Sequence, residues 1–225
     1  MTPILGAPQA TKAQAHRWAA ARATRAVWTP AIIATLVHLY WQIGTEENVR
    51  PDVALAQSAK ETGFWSFTGD VAADQWNLAG IGAVGGGVPG ERWDSLEAGV
   101  RGHLRRLRMY ADGSWEIYDL AILKRSLGTR YWSSARFVED FGSGRWAPSP
   151  SYGRSIVDDY LASLLATDPG YSDITGHWAE TPIRRLIDLG LMEGDGHLFR
   201  PDAPATRAEL AVVVDRLVDL LDPPT

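Results

Sequence analysis

The stretch Ala54-Leu55-Ala56-Gln57-Ser58-Ala59-Lys60-Glu61-Thr62-Gly63-Phe64-Trp65 decides how this chain is read. Pro51 precedes it and suits the first helical position, where a missing N–H costs nothing. Gly63 suits the position just past a helix end, where φ > 0 is common. The segment is therefore expected to be a helix that stops at Gly63, with Glu61 in its last turn. The negative end of the helix dipole disfavours a second negative charge there, and Phe64 and Trp65 would add desolvation. Both effects raise a carboxyl pKa, as general acid catalysis near neutral pH requires. A solvent-exposed glutamate beside core aromatics fits the same residues.

Gln57 and Ser58 lie four and three residues before Glu61, and Ala54 lies seven before, so all share its helix face. That face is small and polar, as the floor of a groove would be. Val53 and Ala56 point elsewhere, towards a core.

Working outward, Thr11 is expected to cap a helix running to about Arg25, rich in alanine. Thr29-Pro30 opens a second helix that Gly44 is expected to close. Its apolar positions Ile32, Ile33, Leu36, Val37, Leu39, Tyr40 and Ile43 mark a central core element. Between Phe64 and Trp93 the helical pattern gives way to Trp76, Gly80, Gly82, Gly85-Gly86-Gly87 and Pro89-Gly90. This predicts loops or a short hairpin over the Glu61 helix. The glycine run lacks the Lys-Ser/Thr that a phosphate-binding loop needs. Asp94 or Ser95 then caps a helix to about Ala111, with Glu97 spaced from Asp94 for a capping box. Leu96, Val100, Leu104, Leu107 and Met109 give its buried face, and Arg101, Arg105, Arg106 and Arg108 its solvated one. His103 has no metal-binding partner pattern around it. Shorter helices are expected near Tyr118–Ser126 and Ser133–Phe141, and a last one from Ser151 or Tyr152 to Leu165.

Composition narrows the function. The 225 residues contain no cysteine, which excludes disulfides and thiolate metal sites. The net charge of −5 comes from residues 169–225, with 5 basic and 10 acidic side chains; residues 1–168 balance at 17 of each. No basic patch points to nucleic acid, and no apolar run is long enough to span a membrane. The N-terminal residues Met1–Pro8 have neither a basic start nor a long apolar stretch and are not a signal peptide as written; either a signal was removed or the protein leaves the cell by another route. Nine of the ten tryptophans precede residue 150, a supply that suits sugar stacking as well as a core.

Four blocks stand in order: the segment from Arg50 to Gly63, Asn77-Leu78-Ala79-Gly80-Ile81, Trp93–Tyr110, and Arg145-Trp146-Ala147-Pro148-Ser149-Pro150-Ser151-Tyr152-Gly153. Together they resemble the glucosaminidase domains of glycoside hydrolase family 73, over nearly all of residues 1–166. The resemblance implies a mainly α, lysozyme-like fold with little β structure. It also implies cleavage of the N-acetylglucosaminyl-β-1,4-N-acetylmuramic acid bond of peptidoglycan, with no cofactor and no metal. Glu61 matches the family's catalytic acid, Tyr152 a tyrosine lining its cleft, and Asn77 part of its Asn-Leu-Phe-Gly-type motif. Ala79 stands where many members have Phe. For the second carboxylate, Glu91 has about the family's spacing and Asp74 neighbours the Asn77 motif; Asp70 and Asp94 are also present. A substrate-assisted mechanism would need none of them. Gln57, Phe64, Trp65, Trp76 and Asn77 are the expected substrate-binding residues.

The chain changes character after Thr167-Asp168-Pro169-Gly170. Tyr171–Ala179, Gly190–Pro201 and Thr206-Arg207-Ala208-Glu209-Leu210 resemble one S-layer homology repeat, with helices about 178–189 and 206–221. The expected organisation is a glucosaminidase domain over 1–168 and a wall-binding domain over 169–225. By resemblance the repeat binds secondary cell-wall polymer, with Arg207 facing an anionic group and Trp178 a sugar; a surface arginine and a core tryptophan fit the same positions. A lone repeat is marginal by itself, so it is expected to pack on the first domain or assemble as a homotrimer. The expected protein is thus a phage lysin or bacterial autolysin acting outside the cytoplasm. The alternatives are a non-catalytic wall-binding protein, and a muramidase or lytic transglycosylase of the same fold.

Overall fold

The computed structural model describes residues 1–83, 85–112, 131–167, 171–189, 191–194 and 198–221. The expected helix near Tyr118–Ser126 and the junction at 168–170 lie outside them. The described chain is mainly α and divides into two compact units, one of Met1–Ala10 with Ala15–Thr167, the other of Thr11–Gln14 with Asp168–Thr225.

Helix α1 spans Lys12–Arg22, and the first unit is built around α2 (Pro30–Glu46), α3 (Pro51–Thr62) and α4 (Leu96–Ala111), which pack on one another. Thr29 Oγ1 accepts the Ile32 N–H and caps α2. The helix does not stop at Gly44 as expected but runs to Glu46. A Cβ on Gly44 would lie 2.9 Å from the Val49 carbonyl oxygen, so this glycine permits close backbone approach instead of ending the helix. α3 ends as expected, with Gly63 left-handed at φ 59°. Ten of its residues are buried, including its polar Gln57 and Ser58.

Residues 1–10 are built into the first unit. Ile4 is fully buried, and its backbone N–H and C=O bond to Arg136 and Arg50. Asp52, in the first turn of α3, accepts the N–H groups of Gln9 and Ala10 and pairs with buried Arg50 at 2.7 Å. Removing one member of such a pair leaves a buried charge, so this knot ties the N-terminus to the helix that carries Glu61.

α4 is capped by Ser95, whose Oγ accepts the Ala98 N–H. Glu97 consequently sits one place too early for the expected capping box and pairs with Arg101. The expected solvated arginine face is also revised. Arg101 and Arg105 bind Glu47 at the end of α2, Arg108 bonds the Glu47 carbonyl, and Arg106 lies over the rings of Tyr110 and Trp146. Gly99 and Gly102 let α4 receive the Trp76 backbone and the Trp93 indole, with no room for a Cβ at either position. The 73–93 loop is thereby fixed against α4. It contains a 3-10 turn, Ala73–Gln75, and no hairpin among the described residues. Isolated antiparallel bridges join Pro3 to Phe137 and Leu5 to Val49.

A 3-10 turn, Val138–Phe141, stands where a helix was expected near Ser133–Phe141. The last helix of the unit starts at α5 (Tyr152–Ser155), widens into a π-helical stretch Ile156–Leu161 that packs on α3, and ends as α6 (Ala162–Leu165).

The second unit holds α7 (Glu180–Asp188) and α8 (Arg207–Leu221). Thr206 and Glu209 form the capping box expected from sequence, with bonds of 2.7 and 3.2 Å. Asp173 accepts the Phe199 and Arg200 N–H groups, closing the loop between the two helices.

Candidate active site

Glu61 projects from the last turn of α3 into a cavity of about 200 Å³. Thr62, Phe67, Asp70, Asn77 and Gly80 are among its other lining residues. The chain reverses sharply after α3: Phe64, Trp65 and Phe67 all take positive φ, at 53°, 62° and 49°. Bulky residues there cost about 1–2 kcal/mol each. Packing and hydrogen bonding offset that cost. Trp65 is fully buried, its backbone N–H donates to Thr62 Oγ1, and its backbone carbonyl accepts the Val27 N–H.

The Glu61 carboxyl pKa is raised, and burial is the largest cause. The Tyr152 hydroxyl, the Lys60 charge and the Trp146 indole oppose it in that order. Tyr152 comes from the first turn of α5 and donates a hydrogen bond to Glu61 Oε1. Lys60 stands over the Tyr152 and Tyr160 rings, 5.5 and 5.4 Å from their centroids. Gly80 lies against the second oxygen: a Cβ there would sit 3.1 Å from Glu61 Oε2. A carboxyl held between fixed donors, yet pushed towards its neutral form, is equipped to hand over a proton.

Behind this carboxyl runs a buried chain of side-chain hydrogen bonds. Gln57 Nε2 donates to the Tyr152 hydroxyl at 3.0 Å, and Gln57 Oε1 meets His103 Nε2 at 3.2 Å. His103 Nδ1 meets the Tyr40 hydroxyl at 2.8 Å. Ser58 bonds Tyr40 and accepts the Trp65 indole N–H at 3.1 Å. Burial and the Arg106 charge lower the His103 pKa to about 3, so the ring is neutral.

The substrate-binding candidates therefore separate. Gln57 and Trp65 are fully buried and bonded inside the protein, so in this structure neither offers a face to a ligand. Asn77 is buried as a loop organiser: its Nδ2 donates to the Ile81 and Glu91 carbonyls, and its Oδ1 accepts the Ile81 N–H. The residue still borders the Glu61 cavity. Trp76 is half-buried and packs on Trp28. Phe64 stacks on Tyr160 and borders a separate open cavity of about 440 Å³ with Arg22 and Arg25.

The acidic candidates separate too. The Glu91 side chain packs on Gly82, two residues from the glycine that touches Glu61, and its charge acts on Arg106. Asp74 is exposed and paired with Arg92, outside the cavity lining. Asp70 borders the cavity, its Oδ1 accepting the Gly87 N–H. Sequence reading placed Tyr40 in the core and Gly80 and Trp146 within family blocks, but gave none of them, nor His103, a part in the site. His103 carried a usable signal, a histidine on the apolar side of a helix. Among the described residues no cluster of His, Cys, Asp and Glu could hold a metal ion. In the second unit Trp178 is 87% exposed beside His177, and Arg207 is exposed at the start of α8.

A mainly α domain with a half-buried, tyrosine-bound glutamic acid at a helix end has the makings of a glycosidase. The family model for glucosaminidase, described as mannosyl-glycoprotein endo-beta-N-acetylglucosaminidase, matches residues 37–178, and the chain belongs to that family. The S-layer homology domain model matches residues 170–211. An uncharacterized protein of Borreliella burgdorferi is 27% identical over 132 residues, covering 59% of this chain and 63% of the relative. The chain thus spans less than two thirds of that relative's length. No solved structure matches.

Proposed function

We propose that the protein is an endo-β-N-acetylglucosaminidase of peptidoglycan, acting outside the cytoplasm, with a wall-anchoring S-layer homology module. The observation that carries this reading is the Glu61 carboxyl, pushed towards its neutral form by burial and bonded by Tyr152 at the wall of a cavity. Glu61 protonates the glycosidic oxygen as the bond to the sugar breaks. Glu91 is the second carboxylate, supported by its place beside Gly82 on the loop that Asn77 ties down. Asp74 is less suited, since its charge is already met by Arg92 in solvent. Trp178 and Arg207 offer an exposed ring and a cation for a secondary wall polymer.

Digestion of purified peptidoglycan followed by mass spectrometry tests the reading. New reducing ends should be N-acetylglucosamine, and Glu61→Gln should release none. Reducing-end muramic acid would make the protein a muramidase, anhydromuramic acid a lytic transglycosylase, and wall binding without any fragment a non-catalytic binder. Leu210, Val214, Leu217 and Val218 lie exposed along α8, which supports self-association of the lone repeat as a trimer. Light scattering at high concentration would refute that with a single monomeric mass.

A further inference from the structure

We propose that His103, which has no contact with the Glu61 cavity, sets the hydrogen bonding of the Glu61 carboxyl through Gln57 and Tyr152. Gln57, His103 and Tyr40 are then positioning residues. The inference rests on Glu61 being the proton donor.

Donors and acceptors alternate along the chain from Tyr40 to Glu61. The Tyr40 hydroxyl sits 2.8 Å from His103 Nδ1, and His103 Nε2 sits 3.2 Å from Gln57 Oε1. An amide oxygen only accepts, so neutral His103 carries its proton on Nε2 and accepts from Tyr40 at Nδ1. With its oxygen engaged by His103, Gln57 must turn its NH₂ to the Tyr152 oxygen, at 3.0 Å. The Tyr152 oxygen therefore receives a donor from Gln57, and its own proton goes to Glu61. Ser58 and the Trp65 indole fix the far end by engaging Tyr40.

Each link has two possible directions, and only one of them leaves the Tyr152 proton for Glu61. If Gln57 turned its amide over, its oxygen would face Tyr152 and compete for that proton. Ser58 excludes this: its hydroxyl donates to the Tyr40 oxygen, so the Tyr40 proton goes to His103 Nδ1, the ring proton stays on Nε2, and Nε2–H meets Gln57 Oε1. Charged or titratable groups acting on Glu61 are Lys60 and Tyr152, with Tyr160 beyond them, and Arg106 is the one acting on His103. The chain crosses α2, α3, α4 and α5, so the elements that carry it are those whose packing forms the domain core.

The test reads the protonation of Glu61 directly, by ¹³C NMR of side-chain-labelled glutamate in the full-length protein, assigned with Glu61→Gln. His103→Leu removes the N–H, and the Gln57 amide loses its preferred direction. The Tyr152 proton is then shared with Gln57, and the Glu61 midpoint should rise by roughly one pH unit. His103→Gln places an amide N–H where Nε2–H was and should restore the wild-type midpoint. In the pH profile of kcat the alkaline limb should move up in His103→Leu alone, with KM little changed. Tyr40→Phe keeps the ring but frees the histidine tautomer, and should shift the midpoint the same way by less; it carries the test if His103→Leu does not fold. An unmoved Glu61 midpoint in the folded variants overturns the proposal, and so does a His103→Gln midpoint displaced as far as that of His103→Leu. Wild-type protein that releases no glycan fragments would overturn the assigned activity instead, while the titration, which needs no turnover, still decides the role of His103.

Discussion

Acidification should destabilise the first unit through His103, and the size of the effect follows from its burial. Folding takes this imidazole out of water, and its pKa falls from 6.5 to about 3. The folded value is depressed, so the unfolded chain binds the extra proton. Stability is full above the unfolded pKa, and it is lost as pH falls from about 6.5 towards 3. Linkage over that interval removes on the order of 3 kcal/mol by pH 4, a large part of a typical domain's stability. His103→Gln removes the titration and retains the N–H towards Gln57. Urea unfolding followed by tryptophan fluorescence reports chiefly this unit, since nine of ten tryptophans precede residue 150. Wild type should lose about 3 kcal/mol more than His103→Gln between pH 7 and pH 4. Carboxylates that titrate in both proteins cancel in that comparison. A difference that stays constant within about 1 kcal/mol would refute a buried neutral histidine.

Glu61 has the opposite sign. Its folded pKa is raised by burial, so its contribution is fully present at low pH and is lost as pH rises through the folded value. Glu61→Gln should therefore abolish activity while gaining stability relative to wild type from pH 5 to pH 8, measured by thermal unfolding at each pH. Gly80→Ala places a methyl 3.1 Å from Glu61 Oε2 at a backbone φ of 60°, and steady-state kinetics should show kcat down about tenfold or more with KM little changed. Trp178→Ala removes an indole that is 87% exposed, so stability should change by less than about 0.5 kcal/mol while cosedimentation with purified walls weakens.

Local chemistry made much of the fold legible. Pro51 and Gly63 bracket α3, Thr29 caps α2, and Thr206 with Glu209 caps α8, because capping depends on residues three or four apart. Readings failed where a distant neighbour outweighed the local signal. Gly44 was expected to stop a helix, yet it makes room for Val49 and Pro51. Arg106 fitted a solvated stripe, but Trp146 and Tyr110 lie beneath it. Glu97 fitted a capping box until Ser95 proved to be the cap.

The opening stretch illustrates the same division. From sequence alone, Ala54–Trp65 determined a helix, its stop, and a carboxyl in the last turn where charge is disfavoured. Gln57 and Ser58 could be placed on the Glu61 face, because helical periodicity fixes which side chains share a side. Whether that face met water or protein was decided only in three dimensions. Tyr152 lies 91 residues beyond Glu61, and His103 lies 46 beyond Gln57. Hydrogen-bond direction passes between them through contacts that no spacing in the chain encodes. Tertiary packing turned Gln57 from a groove-floor residue into an internal support for Tyr152, and it gave the Glu61 carboxyl both its burial and its donors.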